Sequence, residues 1–446
     1  MTASTPEPLV DLTLATSFTK EALAGLPRAS AFLTSLREQA LAEFDAAPIP
    51  SQETEEWRYT DLSDFEFDFA PFTPGGAWAD SLDDVPEAIQ AAAGDIGDRA
   101  GLQIQRNSEV ILSREGPDAD RLDVHFEGLD HAIRDHPELV EPYLHAIVPT
   151  GRTKFTALHG AFRTGGTYVY VPSGVTVELP LQALTYLDTD GAAVFPHTLL
   201  IVGDDAEVTF IDRYVSPDLT RAFSDAVVEI YAGNASRVRY ISLQDWGSGV
   251  THLSVQRAVL GRDAELRSLS VQFGGDLARS EFESVLSEPG AHSEMLGLYF
   301  ATGQQHYDHR TLQDHVAPNG TSDLLYKGAL KEASRSIYSG WVHIRPGAQK
   351  SDAFQTNRNL VLSEHAKADA IPNLEIENNE VRCGHAASVG PVEEDTLFYL
   401  ESRGIPRKEA ERLIVFGFFQ EVLDRVALPE VRQGLATAIE RELERG

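Results

Sequence analysis

Apolar and polar residues alternate in short runs through the middle of the chain, from about residue 154 onward. Such alternation is typical of β-strands with one buried face. Glycines close these runs at a nearly constant interval of 27 to 30 residues, at Gly174, Gly203, Gly233, Gly261, Gly290, Gly320 and Gly347. Each interval has room for a pair of strands and a turn. A fixed interval of this length predicts a repeat architecture.

The length of the interval separates the possible repeat folds. A propeller blade needs four strands in about 40–45 residues, and a leucine-rich repeat would show a leucine and asparagine ladder that this sequence lacks. A solenoid, in which each coil stacks on the next around a shared core, fits the shorter interval. Small residues at the turns, such as GDDA and GNAS, predict tight corners with positive φ. The sequence therefore predicts a mainly β fold built on a right-handed parallel β-helix.

Helical patterns precede this core. Thr19 can cap a short helix, and residues 27–47 carry apolar side chains at helical spacing. Short helices are also expected at residues 129–134 and 137–146. These patterns divide the chain into an N-terminal, mostly helical domain, a β-helix core and a C-terminal helical domain, with the bounds 1–150, 151–390 and 391–446.

Three helices are expected after the core. The first spans residues 393–403, with Gly404 just beyond its end, the second spans 406–426, and the third follows Pro429. The second helix has one apolar side, made of Ala410, Leu413, Ile414, Phe418 and Val422. Its aromatic rings, Phe416, Phe418 and Phe419, either cap the open end of the solenoid or form a docking surface for another protein.

The composition argues against some classes of binding partner. The chain has 446 residues, a formal net charge of -32 and a pI near 4.7. Such an acidic surface repels nucleic-acid phosphates and anionic lipid, so neither nucleic acid nor membrane is an expected partner. The sequence contains no run of about 18 apolar residues, so no membrane-spanning helix is expected. The first ten residues lack the basic and apolar regions of a secretory signal, so we expect a cytoplasmic protein.

Cys383 is the only cysteine in the sequence. A single thiol excludes an internal disulfide framework and an intrachain cluster site built from several thiolates. His385 follows two positions later, and residues i and i+2 of a strand share a face. A neighbouring imidazole can lower the pKa of a thiol, and the thiolate is the form that binds metal or sulfur. The alternative is an inert cysteine that packs as a small apolar residue.

A histidine-rich stretch, QQHYDHRTLQDHV, is a second candidate site. His306, His309 and His315 have a spacing that could ligate a metal. In a strand, however, His306 would point to the opposite face from the other two. The alternative is a polar ladder with a structural role. The sequence contains no phosphate-binding loop, nucleophile elbow, zinc-protease helix or CxxC motif.

Three stretches of the chain resemble the SufB/SufD family of iron–sulfur cluster assembly scaffold proteins. They are EEWRYTDL (55–62), KFTALHGAFRTGGTYVYVPSGV (154–175) and a block from 347 to 405 that contains FQTNRNLVL and EVRCGHAAS. Together they carry the resemblance across most of the chain, and the last block is the most specific.

Within this family the residues favour a SufD-type chain. Asn357 stands where SufB-type chains carry a functional cysteine, and Ala386 stands where they carry a glutamate. The Cys-x-His formed by Cys383 and His385 is the SufD-type pattern. One small departure is HAAS in place of the usual HGAT.

The resemblance implies a scaffold subunit of the SufBCD complex, and not an enzyme. It implies a heterodimer with SufB through the C-terminal coils of the β-helix, with the nascent cluster forming at that interface. His385 would be a metal ligand shared with SufB or a proton-handling group, and Cys383 its neighbour. The SufC ATPase would dock on the C-terminal helices, for which we expect Leu397, Tyr399, Leu413, Phe416 and Phe418.

No cofactor is expected to stay bound to this chain alone, and the cluster would be transient in the complex. Whether a flavin associates with the complex, whether the isolated chain binds iron and whether it forms homodimers are left open. A carbohydrate-cleaving β-helix enzyme would need paired carboxylates on one solenoid face, and no repeated pair stands out. A structural adaptor with an inert Cys383 would leave cluster maturation unchanged when His385 is replaced.

Overall fold

The computed structural model describes residues 17–94, 99–116 and 122–444. The first ten residues, on which the expectation about a secretory signal rests, lie outside this part of the chain. The α-helices are α1 (Lys20–Ala24), α2 (Ala31–Ala46), α3 (Glu87–Ala93), α4 (Leu129–Asp135), α5 (Pro137–Val140), α6 (Lys154–Phe162), α7 (Glu394–Ser402), α8 (Arg407–Leu423) and α9 (Pro429–Glu444). Short 3-10 helices lie at Glu55–Trp57, Leu82–Asp84 and Thr150–Arg152.

The strands form two sheets. They are β1 (Gly101–Arg106), β2 (Glu109–Glu115), β3 (His125–Gly128), β4 (Thr167–Val171), β5 (Leu181–Tyr186), β6 (Ala193–Val194), β7 (His197–Val202), β8 (Glu207–Val215), β9 (Ala222–Ala232), β10 (Arg237–Asp245), β11 (Val250–Leu260), β12 (Glu265–Gln272), β13 (Leu277–Leu286), β14 (His292–Ala301), β15 (His306–His315), β16 (Thr321–Leu330), β17 (Arg335–Ile344), β18 (Asp352–Val361), β19 (Lys367–Ile376) and β20 (Arg382–Pro391). The first sheet has the order β2-β1-β5-β8-β10-β12-β14-β16-β18-β20. The second has the order β19-β17-β15-β13-β11-β9-β7-β4-β3, with β6 beside β9.

Each coil gives one strand to each sheet, and neighbouring strands of successive coils run parallel. The register stacks like residues, so Val238 pairs with Val208 of the coil before and with Leu266 of the coil after. All three are buried in an aliphatic core between the sheets. The predicted parallel β-helix is therefore confirmed. The strands β1, β2 and β3 join the sheets although they precede residue 150, and the division into three domains stays a prediction.

The corners of the coils need glycine for close stacking. The turn after β7 takes a positive φ, as predicted, but at Asp205 (+54°), two residues beyond Gly203. A Cβ atom on Gly203 would lie 2.5 Å from the backbone nitrogen of Ser173 in the coil before. A Cβ atom on Gly233 would lie 2.7 Å from the carbonyl carbon of Gly203. The periodic glycines thus mark places where one turn lies directly on the next.

The N-terminal helices cover the outer face of the second sheet. Leu129 and Ile133 of α4 pack with Leu199 and Ile201 of β7 in one buried cluster. The helix α1 begins at the predicted cap, because the side chain of Thr19 accepts a hydrogen bond from a backbone nitrogen of the first turn. The helices expected at 27–47 and 129–134 are present, whereas the one expected at 137–146 ends at Val140.

The EEWRYTDL stretch is anchored on the same face by a buried ion network. Thr60 donates a hydrogen bond from its hydroxyl to Asp308 Oδ2 at 2.7 Å. Arg279 Nη1 donates to the same oxygen at 2.5 Å, and Arg310 Nε donates to Oδ1 at 2.8 Å. The ring of Trp57 lies 4.0 Å from the guanidinium carbon of Arg279. Because Asp308 and Arg279 are buried, these contacts fix the N-terminal segment to the coil.

The C-terminal helices cover the outer face of the first sheet. The helix α8 buries Ala410, Val415, Phe419, Val422 and Leu423. These side chains pack with outward residues of β8, β10, β12, β14 and β16, such as Phe300, whose ring centre is 6.4 Å from that of Phe419.

The predicted apolar side of this helix is therefore wrong in part, and one of the two alternatives for its aromatic rings is excluded. The buried side passes through Val415 and Phe419, whereas Leu413 is 44% exposed and Phe418 is only partly buried. The rings also do not cap the open end of the solenoid, because they lie along its side. The error arose because residues three and four positions apart both satisfy a helical pattern.

Candidate functional site

The last coil of the solenoid ends in two strands that each pair on one side only. Among the described residues, β19 pairs with β17 and β20 pairs with β18, and neither pairs with a further strand. Backbone N–H and C=O groups along their outer edges are therefore available to another strand. We call this surface, formed by β19 and β20, the open end.

Cys383 and His385 lie on β20, at the open end. In the parallel register Cys383 is opposite Ala353 and His385 is opposite Gln355. Ala353 and Gln355 are buried inside the solenoid, so both β20 residues lie on the inward-facing side of their strand. Cys383 packs partly against the small apolar cluster that includes Ala353, whereas His385 is exposed.

The thiol is not activated within this chain. Partial burial raises the pKa of Cys383, and the nearby carboxylate of Asp352 raises it further. The expected lowering of the thiol pKa by His385 is therefore not found. A thiol of this kind stays protonated at neutral pH, so the exposed imidazole is the better-placed donor in the isolated chain.

Asn357 and Ala386, which distinguish the SufD-type from the SufB-type pattern, lie near Cys383 and His385. Asn357 is fully buried in β18, where its Nδ2 donates to Tyr299 Oη and to the carbonyl oxygen of Tyr326, both at 3.3 Å. Its carbonyl oxygen accepts a hydrogen bond from Asn359 at 2.7 Å. Asn357 is thus part of a polar network inside the last coils. Ala386 is exposed on β20 and can supply no ligand.

Large apolar side chains are exposed around the open end. Trp341, Phe354, Ile376 and Val389 lie on the last strands of the two sheets and are 43%, 52%, 44% and 46% exposed. The ring of Phe354 lies over Gly384, where a Cβ atom would come within 2.9 Å of it. Exposed apolar groups concentrated at one edge are typical of a protein interface. These residues could not be predicted from the sequence, because strand alternation does not show which side chains are exposed at an edge.

The histidine-rich strand β15 does not form a metal site. His306 and His315 are its first and last residues, so they lie roughly 30 Å apart at about 3.3 Å per residue. His306 Nε2 lies 3.1 Å from Thr60 Oγ1 on the outer face, as the alternation predicts. His309 is stacked on Tyr299 inside the solenoid, with ring centres 4.3 Å apart, and His315 contacts Ser322. These positions fit the structural alternative.

The five residues expected to dock an ATPase differ in exposure. On α7, Leu397 is buried against its own chain, whereas Tyr399 is 56% exposed. On α8, Leu413 is exposed, and Phe416 and Phe418 are partly buried. The neighbour of Tyr399, Phe398, is 72% exposed and was missed. The large apolar side chains exposed on these two helices are Phe398, Tyr399 and Leu413, which we call the helix patch.

Together these features define a class: a two-sheet parallel β-helix whose early coils lie under the N-terminal helices (the covered end), with an open last coil and a pair of terminal helices with exposed apolar groups. The family profile "SUF system FeS cluster assembly, SufBD core domain" matches residues 185–418, and the profile "SufBD protein N-terminal region" matches residues 109–183. The chain belongs to the SufBD family of iron–sulfur cluster assembly proteins.

Similar proteins agree with this assignment. The chain is 32% identical to the iron–sulfur cluster assembly protein SufD of Bacillus subtilis, over 93% of this chain and 94% of that protein. It is 38% identical to a SufBD family protein of Mycobacterium leprae, over 66% of this chain and 76% of that protein. It is 30% identical to one of Staphylococcus saprophyticus, over 87% and 84%. In the described part of the chain, no helix has both the length and the apolar character to cross a bilayer.

Proposed function

We propose that this chain is a SufD-type, non-catalytic scaffold subunit that helps to build iron–sulfur clusters together with a SufB-type and a SufC-type partner. Family membership and the likeness to the Bacillus subtilis protein support the SufD type. The observation that carries the scaffold role is the open end, where an unpaired coil presents His385 and Cys383 to a partner.

The ligand count explains why a partner is needed. Iron–sulfur clusters are typically held by about four ligands, mostly thiolates. The strand β20 offers one exposed imidazole and a single half-buried thiol with a raised pKa. A second subunit that pairs with β19 or β20 would bring the missing ligands to the same place. The assembled cluster would then be cargo that leaves the complex, and not a resident cofactor of this chain.

His385 and Cys383 have different roles in this proposal. The exposed His385 binds iron or accepts a proton at the interface, since its imidazole is accessible before assembly. Cys383 becomes a second ligand only when the partner changes its surroundings, because burial and Asp352 now hold its proton. The proposal therefore predicts that loss of His385 reduces cluster assembly more than loss of Cys383 does.

The helix patch is the proposed docking surface for a SufC-type ATPase. Phe398 and Tyr399 are exposed on α7, and Leu413 is exposed on α8, which is anchored to the first sheet through Val415 and Phe419. Anchored helices can carry a force from the ATPase to the coils beneath them. We also propose a cytoplasmic location, because cluster assembly and a free thiol such as Cys383 need a reducing compartment.

The proposal is tested by co-purifying the chain with SufB-type and SufC-type proteins and reconstituting clusters anaerobically. We expect the wild-type complex to show the absorption of a bound cluster, and His385→Ala to lose most of it while the complex stays intact. The control is His131→Ala, because His131 is exposed on α4, at the covered end. Equal cluster yields from the two variants would refute the site. Failure of the chain to co-purify with either partner would refute the scaffold role.

A further inference from the structure

Three histidines lie together in a buried space between the second sheet and the N-terminal helices. His159 belongs to α6, His197 begins β7, and His145 lies between α5 and the 3-10 helix at Thr150–Arg152. Their exposed fractions are 0%, 1% and 7%. Their ring centres are 4.9 to 5.7 Å apart, and one ring nitrogen of each lies within 4.8 Å of the others. We call this group the histidine cluster.

Hydrogen bonds to surrounding acceptors set the protonation of all three rings. His145 Nδ1 is 3.1 Å from the carbonyl oxygen of Val148, and His159 Nδ1 is 2.8 Å from that of Asp225. His197 Nε2 is 3.2 Å from a carboxylate oxygen of Glu229. Carbonyl and carboxylate oxygens only accept, so each of these three nitrogens donates a proton outward.

The remaining ring nitrogens therefore present lone pairs toward one another. His159 Nε2 and His197 Nδ1 are 3.1 Å apart, and His145 Nε2 is buried with no hydrogen-bond partner in the described chain. Two lone pairs at this distance repel unless a cation lies between them. Nitrogen ligands on a tetrahedral Zn²⁺ are about 3.3 Å apart, given Zn–N bonds of about 2.0–2.1 Å. The His159–His197 spacing is therefore that of two ligands on one metal ion, and a ring nitrogen of His145 lies within 4.8 Å of both.

The outer contacts of the cluster match those of a metal site. Metal-binding histidines donate their second ring N–H to a carboxylate or a backbone carbonyl, which fixes the ring. Glu229 also accepts backbone hydrogen bonds from His145 at 2.6 Å and from Ile147 and Val148, both at 3.0 Å. The same loop holds His145 at φ +58°, a conformation that is uncommon outside glycine. Glu229 thus holds the loop in the conformation that places His145 against the other two rings.

A shared proton is the alternative to a metal ion. Burial lowers the pKa of His145 to about 3 and lowers those of His159 and His197 well below the usual value. Neutral imidazole is the form that binds metal. A proton between His159 and His197 would also leave His145 Nε2 unpaired, whereas a metal ion would use all three nitrogens.

We infer that His145, His159 and His197 bind one divalent transition-metal ion of the zinc type, with Glu229 and two backbone carbonyls orienting the rings. Imidazole ligands suit zinc, and also iron, nickel and copper, better than they suit magnesium or calcium. The ion would tie the loop after α5 and the helix α6 to the second sheet. This site is separate from the open end and does not depend on the proposed function.

The test uses the full-length chain, freed of metal with a chelator and then equilibrated with Zn²⁺ or Co²⁺. We expect one tightly held equivalent by elemental analysis, a visible Co²⁺ spectrum typical of nitrogen ligands, and a higher melting temperature with Zn²⁺. Wild-type protein that retains no metal after equilibration, or that shows no Co²⁺ spectrum, would overturn the inference without reference to any variant.

Matched variants locate the ion. His145→Gln and His197→Gln are expected to lose the bound equivalent and the rise in melting temperature, and Glu229→Gln to weaken binding by roughly 10–100-fold. His252→Gln removes a buried histidine outside the cluster and should bind metal as the wild type does. Binding that survives in His145→Gln, or that disappears in His252→Gln, would contradict the assignment. Circular dichroism confirms that each variant keeps its β-sheet signal.

Discussion

The two ends of the solenoid place histidine in opposite environments. At the covered end, three imidazoles are buried, each is oriented by an acceptor, and their free nitrogens converge. At the open end, the single imidazole of His385 is exposed on an edge strand beside a half-buried thiol. The first arrangement supplies several ligands from one chain and holds them rigidly. The second supplies too few, and is accessible to a partner that can supply more.

The two ends also differ in how their strands are covered. At the covered end, N-terminal helices pack on Leu199 and Ile201 of β7, whereas at the open end Ile376 and Val389 are exposed on edge strands. Buried apolar side chains stabilise the fold, and exposed apolar side chains at an edge are typical of an interface. Substitutions should therefore affect folding at the covered end and partner binding at the open end.

The largest effect is expected from Asp308→Ala. The substitution leaves Arg279 buried without its main partner, which typically costs about 3–5 kcal/mol of unfolding free energy. Denaturant unfolding measures this loss. The matched control at the open end is Asp352→Ala, whose ion pair with Arg382 is exposed and 3.9 Å long, and which should cost about 0–1 kcal/mol. Similar losses for the two variants would contradict the contrast between the buried network and the exposed edge.

The same carboxylate sets a pH dependence. Burial alone would raise the pKa of Asp308, but Arg279, Arg310 and the hydrogen bond from Thr60 outweigh it, so the pKa is lowered. The stabilisation is present above the unfolded-state pKa of about 3.9 and is lost as pH falls through the lower folded-state value. The stability difference between wild type and Asp308→Ala should therefore shrink below about pH 4. A difference that grows on acidification would contradict this account.

A charge at the open end should weaken association without unfolding the chain. Val389→Asp places a carboxylate on the edge strand, where we expect about 2 kcal/mol of lost binding to the SufB-type partner, roughly 30-fold. Isothermal titration measures this. Leu179→Asp is the control, since Leu179 is 40% exposed on an early coil, and it should leave binding unchanged. A loss of binding in the control alone would move the interface to the other end.

The helix patch should contribute a smaller binding effect. Phe398→Ala removes the most exposed aromatic ring and should weaken binding of the SufC-type ATPase about tenfold, or about 1.4 kcal/mol. Its stability should change by no more than about 0.5 kcal/mol. Trp78→Ala is the control, because Trp78 is 51% exposed in the N-terminal region. An unchanged affinity for Phe398→Ala would remove this surface from the proposal.

The smallest effect is expected from Cys383→Ser. The thiol is half-buried and protonated, so the variant should lose about 1 kcal/mol of stability or less. In anaerobic reconstitution, it should retain more cluster than His385→Ala. The reverse order would make the thiol, and not the imidazole, the main ligand that this chain provides.

The sequence allowed the repeat to be predicted, because each coil repeats the same steric requirement. Gly203 and Gly233 recur because each corner lies on the one before it, so the interval follows the coil. The buried side of α8 was harder to predict, since Leu413 and Val415 are both apolar and only the position of the sheet decides between them. Leu397 was taken for a docking residue for the same reason.

The two candidate sites differ in the same way: one could be predicted from the sequence and the other could not. Cys383 and His385 are neighbours in sequence, so their pattern could be read directly. The histidine cluster could not, because His145, His159 and His197 are 14 and 38 residues apart and only the third dimension joins them. His159 lies within the KFTALHGAF stretch, yet it looked like one polar residue on an apolar helix.

The pairing register also implies an order of folding. Each strand pairs with strands one coil away, as Val238 does with Val208, so every coil closes a loop of similar length and can form on the previous one. The helix α9 behaves differently, because Arg441 pairs with Asp245 across 196 residues of chain. That contact can form only after the intervening coils have come together. The terminal helices would thus settle last during synthesis, and a partner that binds their exposed face would select chains whose solenoid is already complete.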